Sequence, residues 1–116
     1  MTNKKNRTLK QYKQVGAEMR LIKELGARLW VDASQILSAP EQDKLRRAFD
    51  KINEVCSRAD SHLFRDHPEV DDTYVDVFYG NLSSEPRNET DAEMIALARS
   101  VADDLFSDTS AMRRSV

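Results

Sequence analysis

The chain has 116 residues, 40% of them apolar and 33% charged, with 3 Gly, 3 Pro and a net charge of −2. That length favours one domain with a real core, and the scarcity of Gly and Pro favours helices that carry one apolar stripe. No apolar run approaches the roughly 20 residues of a membrane span, no hydrophobic stretch follows the charges of residues 1–7 as in a secretory signal, and the single cysteine, Cys56, excludes an internal disulfide.

In chain order, the first signal is a heptad seam. Tyr12, Val15, Met19, Ile22, Gly26, Leu29, Ala33 and Ile36 are spaced alternately three and four apart, which keeps them on one helical face. Leu21, Leu25, Trp30 and Leu37 widen the stripe. The pattern predicts a helix over about residues 8–37, roughly 45 Å long. Gly26 on the seam is either a mild weakness or a place where another backbone comes close.

Ser38-Ala39-Pro40-Glu41 then stops one helix and starts the next, since proline suits a first turn and Ser38 with Glu41 has capping-box spacing. A second seam follows in Leu45, Phe49, Ile52, Cys56, Ala59 and Leu63. Two seams joined by a short turn fold back on each other. After Phe64, Asp66-His67-Pro68-Glu69 resembles another helix start. Residues 73–79 fit a helical face through Tyr74, Val77 and Phe78 but are also rich in strand formers, so both assignments stand. Residues 80–88 read as a loop. Thr90-Asp91-Ala92-Glu93 is a second capping box, opening a helix with Met94, Leu97, Ala98, Val101, Leu105 and Phe106 inward. The expected fold is mainly α. It comprises an antiparallel, coiled-coil-like hairpin over 1–65, C-terminal helices of the same domain over 66–106, and a flexible tail over 107–116. One partner helix cannot cover all the apolar residues of the first helix, so a homo-oligomer is expected.

Charge is distributed unevenly. Residues 1–28 carry eight basic side chains against Glu18 and Glu24, and the remainder of the chain is strongly acidic. A basic first helix attracts phosphates or another anionic ligand, or pairs with the acidic half of its own chain. Catalytic motifs are absent: no Gly-rich phosphate loop, no metalloprotease His pair, no CxxC. Cys56 sits on a seam, as an inert core thiol does. His62 and His67 lack a same-face helical spacing for a metal. The chain therefore reads as a binding protein rather than an enzyme, with no cofactor. Tyr12, Arg20, Lys23, Arg28 and Trp30 put aromatic faces and cations on one helix, the combination that stacks on bases and contacts phosphates. The plainer alternative makes Tyr12 and Trp30 core anchors and the cations solvated.

The stretch Leu9-Lys10-Gln11-Tyr12-Lys13, followed by Met19-Arg20-Leu21-Ile22-Lys23-Glu24-Leu25-Gly26-Ala27, resembles the phage-encoded cyclic-nucleotide sponges of the anti-CBASS and anti-Thoeris type. The family motifs are Lys-x-Tyr and then Met-x-x-Ile-Lys-x-Leu-Gly-Ala. The likeness covers about residues 9–60 and includes the spacing of Leu45, Phe49 and Ile52. It implies an oligomeric helical hairpin that sequesters an immune second messenger, a cyclic nucleotide or a cyclic ADP-ribose derivative, in the host bacterial cytoplasm. It also implies that Tyr12 stacks on a base and Lys23 contacts the ligand, with Arg20 and Arg28 as further cations along the helix. On one continuous helix Tyr12 and Lys23 lie about 16 Å apart, so one small ligand meets both only across protomers. The alternative function is a helical adaptor that binds a protein through its hairpin or its acidic C-terminal half. Overall acidity argues against nucleic acid as a partner.

Overall fold

The computed structural model describes residues 7–80, 82 and 85–115, with side chains described as far as residue 107. Helix α1 spans Leu9–Ala33, α2 spans Ala39–Asp66, a 3-10 segment covers Asp72–Val77, and α3 spans Glu89–Ser115. Among the described residues there is no strand, and no helix is long and apolar enough to cross a membrane.

Each helix start is set by side chains that satisfy free backbone amides. Thr8 caps α1 in a reciprocal box with Gln11, at 3.1 and 2.8 Å. Helix α1 closes at Ala33, four residues before the expected end. There the Ser34 hydroxyl donates to the Val31 carbonyl, and the amides of Ile36 and Leu37 turn back onto Ala33. The Ser38–Glu41 box opens α2 as its spacing predicts, with Pro40 in the first turn. Helix α2 runs on to Asp66, so Asp66-His67-Pro68 is a helix end and not the expected start. Pro68 has no amide to continue the ladder. Asp71 caps the 3-10 segment through the Thr73 amide at 2.9 Å, which places most of residues 73–79 in helical turns. The cap of α3 also differs from expectation. Asn88, two residues before Thr90, accepts the Asp91 amide at 2.8 Å, and the Thr90 hydroxyl is turned to Thr73 at 2.7 Å. Helix α3 then continues through 107–115, within the stretch read as a tail.

Only half of the first seam is buried. Tyr12, Gly26 and Ala33 are covered and Met19 is half-buried, whereas Val15, Ile22, Leu29 and Ile36 are 41, 46, 45 and 84% exposed. The covered face is turned toward Gly16, Ala17 and Arg20, because Val77 of the 3-10 segment closes on Gly16 and Asp91 of α3 meets Arg20 there. Helix α2 packs on α1 as well. The core brings Tyr12 and Ala17 of α1 together with Cys56 and Leu63 of α2, Val77 and Phe78, and Met94 and Ala98 of α3. Gly16 is where the 3-10 segment comes closest, since a Cβ there would collide with the Val77 carbonyl. At Gly26 the close neighbour is the Phe49 ring rather than a backbone.

Gly16→Ala is expected to cost about 1–3 kcal/mol, because backbone must move to admit the methyl. Truncating the fully buried Leu63 to Ala costs about 2–5 kcal/mol. Urea melts of the two variants check both, and an unchanged midpoint for Gly16→Ala would contradict the close approach.

Candidate functional site

Arg20 extends from the middle of α1 into the interior and is 1% exposed. Its Nη2 donates to Asp91 Oδ1 at 2.7 Å, to the Tyr79 carbonyl at 3.1 Å and to the Asp76 carbonyl. Asp91 accepts the Arg87 amide at 2.9 Å through its other oxygen. Arg87 in turn pairs with Asp76 at 2.7 Å, and Asn88 donates to Asp76 at 2.6 Å. Gly80, at φ +140°, closes over this cluster where a Cβ would meet the Arg20 guanidinium at 2.6 Å. Burial pushes the Asp91 carboxyl up, but the Arg87 amide and the Arg20 guanidinium outweigh it and hold the carboxyl below its ordinary value.

Arg20, named with Arg28 as a further cation along the helix, is therefore directed into the interior of its own chain. Small neighbours at Gly16 and Ala17 let the 3-10 segment and α3 close over it, and Asp91 supplies the counter-charge. The same pairing recurs at the periphery, where Lys13 meets Glu93 at 2.9 Å and Arg7 meets Asp66 at 2.8 Å. Part of the basic charge of α1 is matched within the chain.

Tyr12 is 7% exposed. Its hydroxyl donates to Asp66, and its ring meets Phe78 and His67 edge-on at 6.4 and 5.8 Å. Burial, with Asp66 beside it, pushes the hydroxyl pKa up to about 12. Tyr12 is thus part of the core, and it also borders a cavity of about 290 Å³ beside Arg7 and Phe78. Lys23 donates to the Phe78 carbonyl at 2.8 Å and to Cys56 Sγ at 3.4 Å, with its ammonium 5.1 Å from the Tyr79 ring centroid. Tyr12, Arg20 and Lys23 thus all engage residues 76–79. Arg28 lies apart on an exposed surface, beside a groove of about 670 Å³ that Glu24, Leu25 and Leu82 also line.

Two of the four residues reach cavities that also hold aromatic rings: Tyr12 lines the one of about 290 Å³ with Arg7, His62 and Phe78, and Lys23 lines a larger one. Between α1 and α2, a groove of about 530 Å³ is lined by Lys23 and Trp30 on one side and by Arg46, Phe49 and Asn53 on the other. Three N–H donors belong to an ammonium, and two of those of Lys23 are engaged. Arg46 is exposed and pairs with Asp43 at 2.6 Å. Arg46, Phe49 and Asn53 are spaced three and four apart, so that one face of α2 presents a cation, a ring and an amide together. That spacing was legible, but Phe49 reads first as a seam residue and draws attention from its polar neighbours. Among the described residues, no group of three or more His, Cys, Asp or Glu is placed to hold a metal ion. His67 contacts the Arg7 carbonyl at 2.8 Å, and His62 lies against Arg65. No family model, no curated protein and no solved structure matches the chain.

Arg20→Ala leaves a buried carboxylate without its main counter-ion and is expected to cost about 3–5 kcal/mol. The depressed Asp91 carboxyl contributes stability that is complete above its unfolded pKa and is lost as pH falls through the folded value. The melting temperature should therefore drop below about pH 4, the ordinary carboxylate range. Asp91→Asn should flatten that acid limb, and an unchanged limb in this variant would contradict the assignment.

Proposed function

We propose that the chain is a non-catalytic sponge that sequesters a cyclic nucleotide or cyclic ADP-ribose-type messenger in the groove between α1 and α2, and so blunts a bacterial anti-phage signal. The observation that carries this reading is that Trp30 and Phe49 line the same groove as Lys23 and Arg46. Aromatic faces suit a base, cations suit its phosphates, and the volume falls within the range of small-molecule sites. The site is moved from the expected set: Lys23 stays, Tyr12 and Arg20 leave it for structural work, and Arg28 belongs to a different groove.

Two further parts of the proposal concern architecture. In it, α1 and α2 pair as an antiparallel hairpin, supported by contacts whose residue numbers run in opposite directions: Tyr12 with Asp66, Lys23 with Cys56, and Gly26 with Phe49. The working form is a homo-oligomer, supported by the exposed half of the α1 seam. That same exposed row also favours the second reading, a helical adaptor for a protein partner.

The test is a thermal-shift panel of cyclic di- and trinucleotides and cyclic ADP-ribose derivatives. A ligand at 100 times its dissociation constant stabilises the fold by about 2.7 kcal/mol. Trp30→Ala should abolish most of that shift while leaving the unliganded melting temperature nearly unchanged. Tyr12→Ala should do the reverse, lowering stability and sparing the response. No shift with any compound would overturn the sponge reading and leave the adaptor.

A further inference from the structure

On α1, Val15, Ile22 and Leu29 repeat every seven residues, the period that keeps a stripe facing a partner helix along its length. All three side chains are between 41 and 46% exposed, and Ile36, in the turn after α1, is 84% exposed. Beside the row runs a groove of about 430 Å³, walled by Val15, Met19 and Ile22 of α1 and by Ile52 and Val55 of α2. Val55 is itself 54% exposed. Ridge and groove therefore share one face, and contiguous apolar surface of this kind marks an interaction site.

The rim indicates what lies there. Glu18 borders the groove on α1 and Lys51 borders it on α2. Glu18 accepts a 3.4 Å hydrogen bond from Gln14, but among the described residues neither Glu18 nor Lys51 has an ion-pair partner. A face that carries a ridge, a groove, one acid and one base is complementary to itself. A two-fold axis through such a face makes every contact twice, because an isologous interface uses the same patch on both subunits. The net charge of −2 adds little repulsion between copies.

We infer that this face docks a second copy of the chain, with the Val15–Ile22–Leu29 ridge of one protomer seated in the groove of the other and Glu18 paired with Lys51 of the partner subunit at both ends. The inference rests on the oligomeric part of the proposed function and is independent of the ligand. The dimer forms in the absence of any nucleotide, and its failure would leave the thermal-shift result standing.

The experiment is sedimentation of the full chain at micromolar concentration without ligand. The unmodified protein should sediment as a dimer or an even multiple of it, and a monomer would overturn the inference. Ile22→Glu should give a monomer with unchanged helical circular dichroism, since the side chain is already half exposed. A dimer that persists in this variant would mean that another surface is used. Glu18→Lys and Lys51→Glu should each weaken association by about tenfold, as charge pairs across interfaces do. The double exchange Glu18→Lys with Lys51→Glu should restore it, and a double variant no tighter than the single ones would overturn the pairing.

Discussion

The ion pair between Arg20 and Asp91 is the constraint on which the rest of the arrangement depends. Its two side chains are 0 and 4% exposed, so neither charge is solvated and each must be answered by the protein. Arg20 alone addresses three places distant in sequence: the first turn of α3 through Asp91, and the backbone at Asp76 and at Tyr79. Asp91 answers with its second oxygen on the Arg87 amide, just ahead of α3. The start of α3, the end of the 3-10 segment and the middle of α1 are thereby held in one position. A carboxylate in the first turn of a helix also lies at the positive end of the macrodipole. Such a pair adds little net stability over an apolar replacement, but removing one member strands the other.

That constraint explains which parts were legible beforehand. Local signals read correctly where the chain answers them locally, as at Ser38 and Glu41, whose reciprocal bonds need only four consecutive residues. The Thr90 box was equally good as a pattern. It lost to Asn88 because Asp91, inside it, is turned toward Arg20 and Arg87, a demand that originates 71 residues away on α1. Heptad spacing identified the helices but not which row of each seam would be covered. The small pair Gly16 and Ala17 decides that by admitting the Val77 backbone on a neighbouring face.

The candidate site was less legible for the same reason. Aromatic and cationic residues on one helix suggest a ligand, yet the fold takes Tyr12, Arg20 and part of the Lys23 ammonium to hold residues 76–79. The plainer reading of Tyr12, as a core anchor, describes its surroundings. For Trp30 it does not, since that ring is only half-buried and lines the α1–α2 groove. The polar side of the groove comes from α2, from Arg46 and Asn53, where neither charge asymmetry nor family likeness had pointed. A binding role for α1 therefore depends on what faces it across the groove, more than on its own basic charge.

Trp30 is the single tryptophan of the chain, so its fluorescence reports on that groove alone. The most direct measurement of the central claim is a titration of the full chain with a cyclic dinucleotide, followed by tryptophan emission at low and high salt. Stacking of a base beside Trp30 predicts saturable quenching whose midpoint moves to higher ligand concentration as salt screens Lys23 and Arg46. A ligand that raises the melting temperature yet leaves the emission untouched would place its site elsewhere and contradict the account.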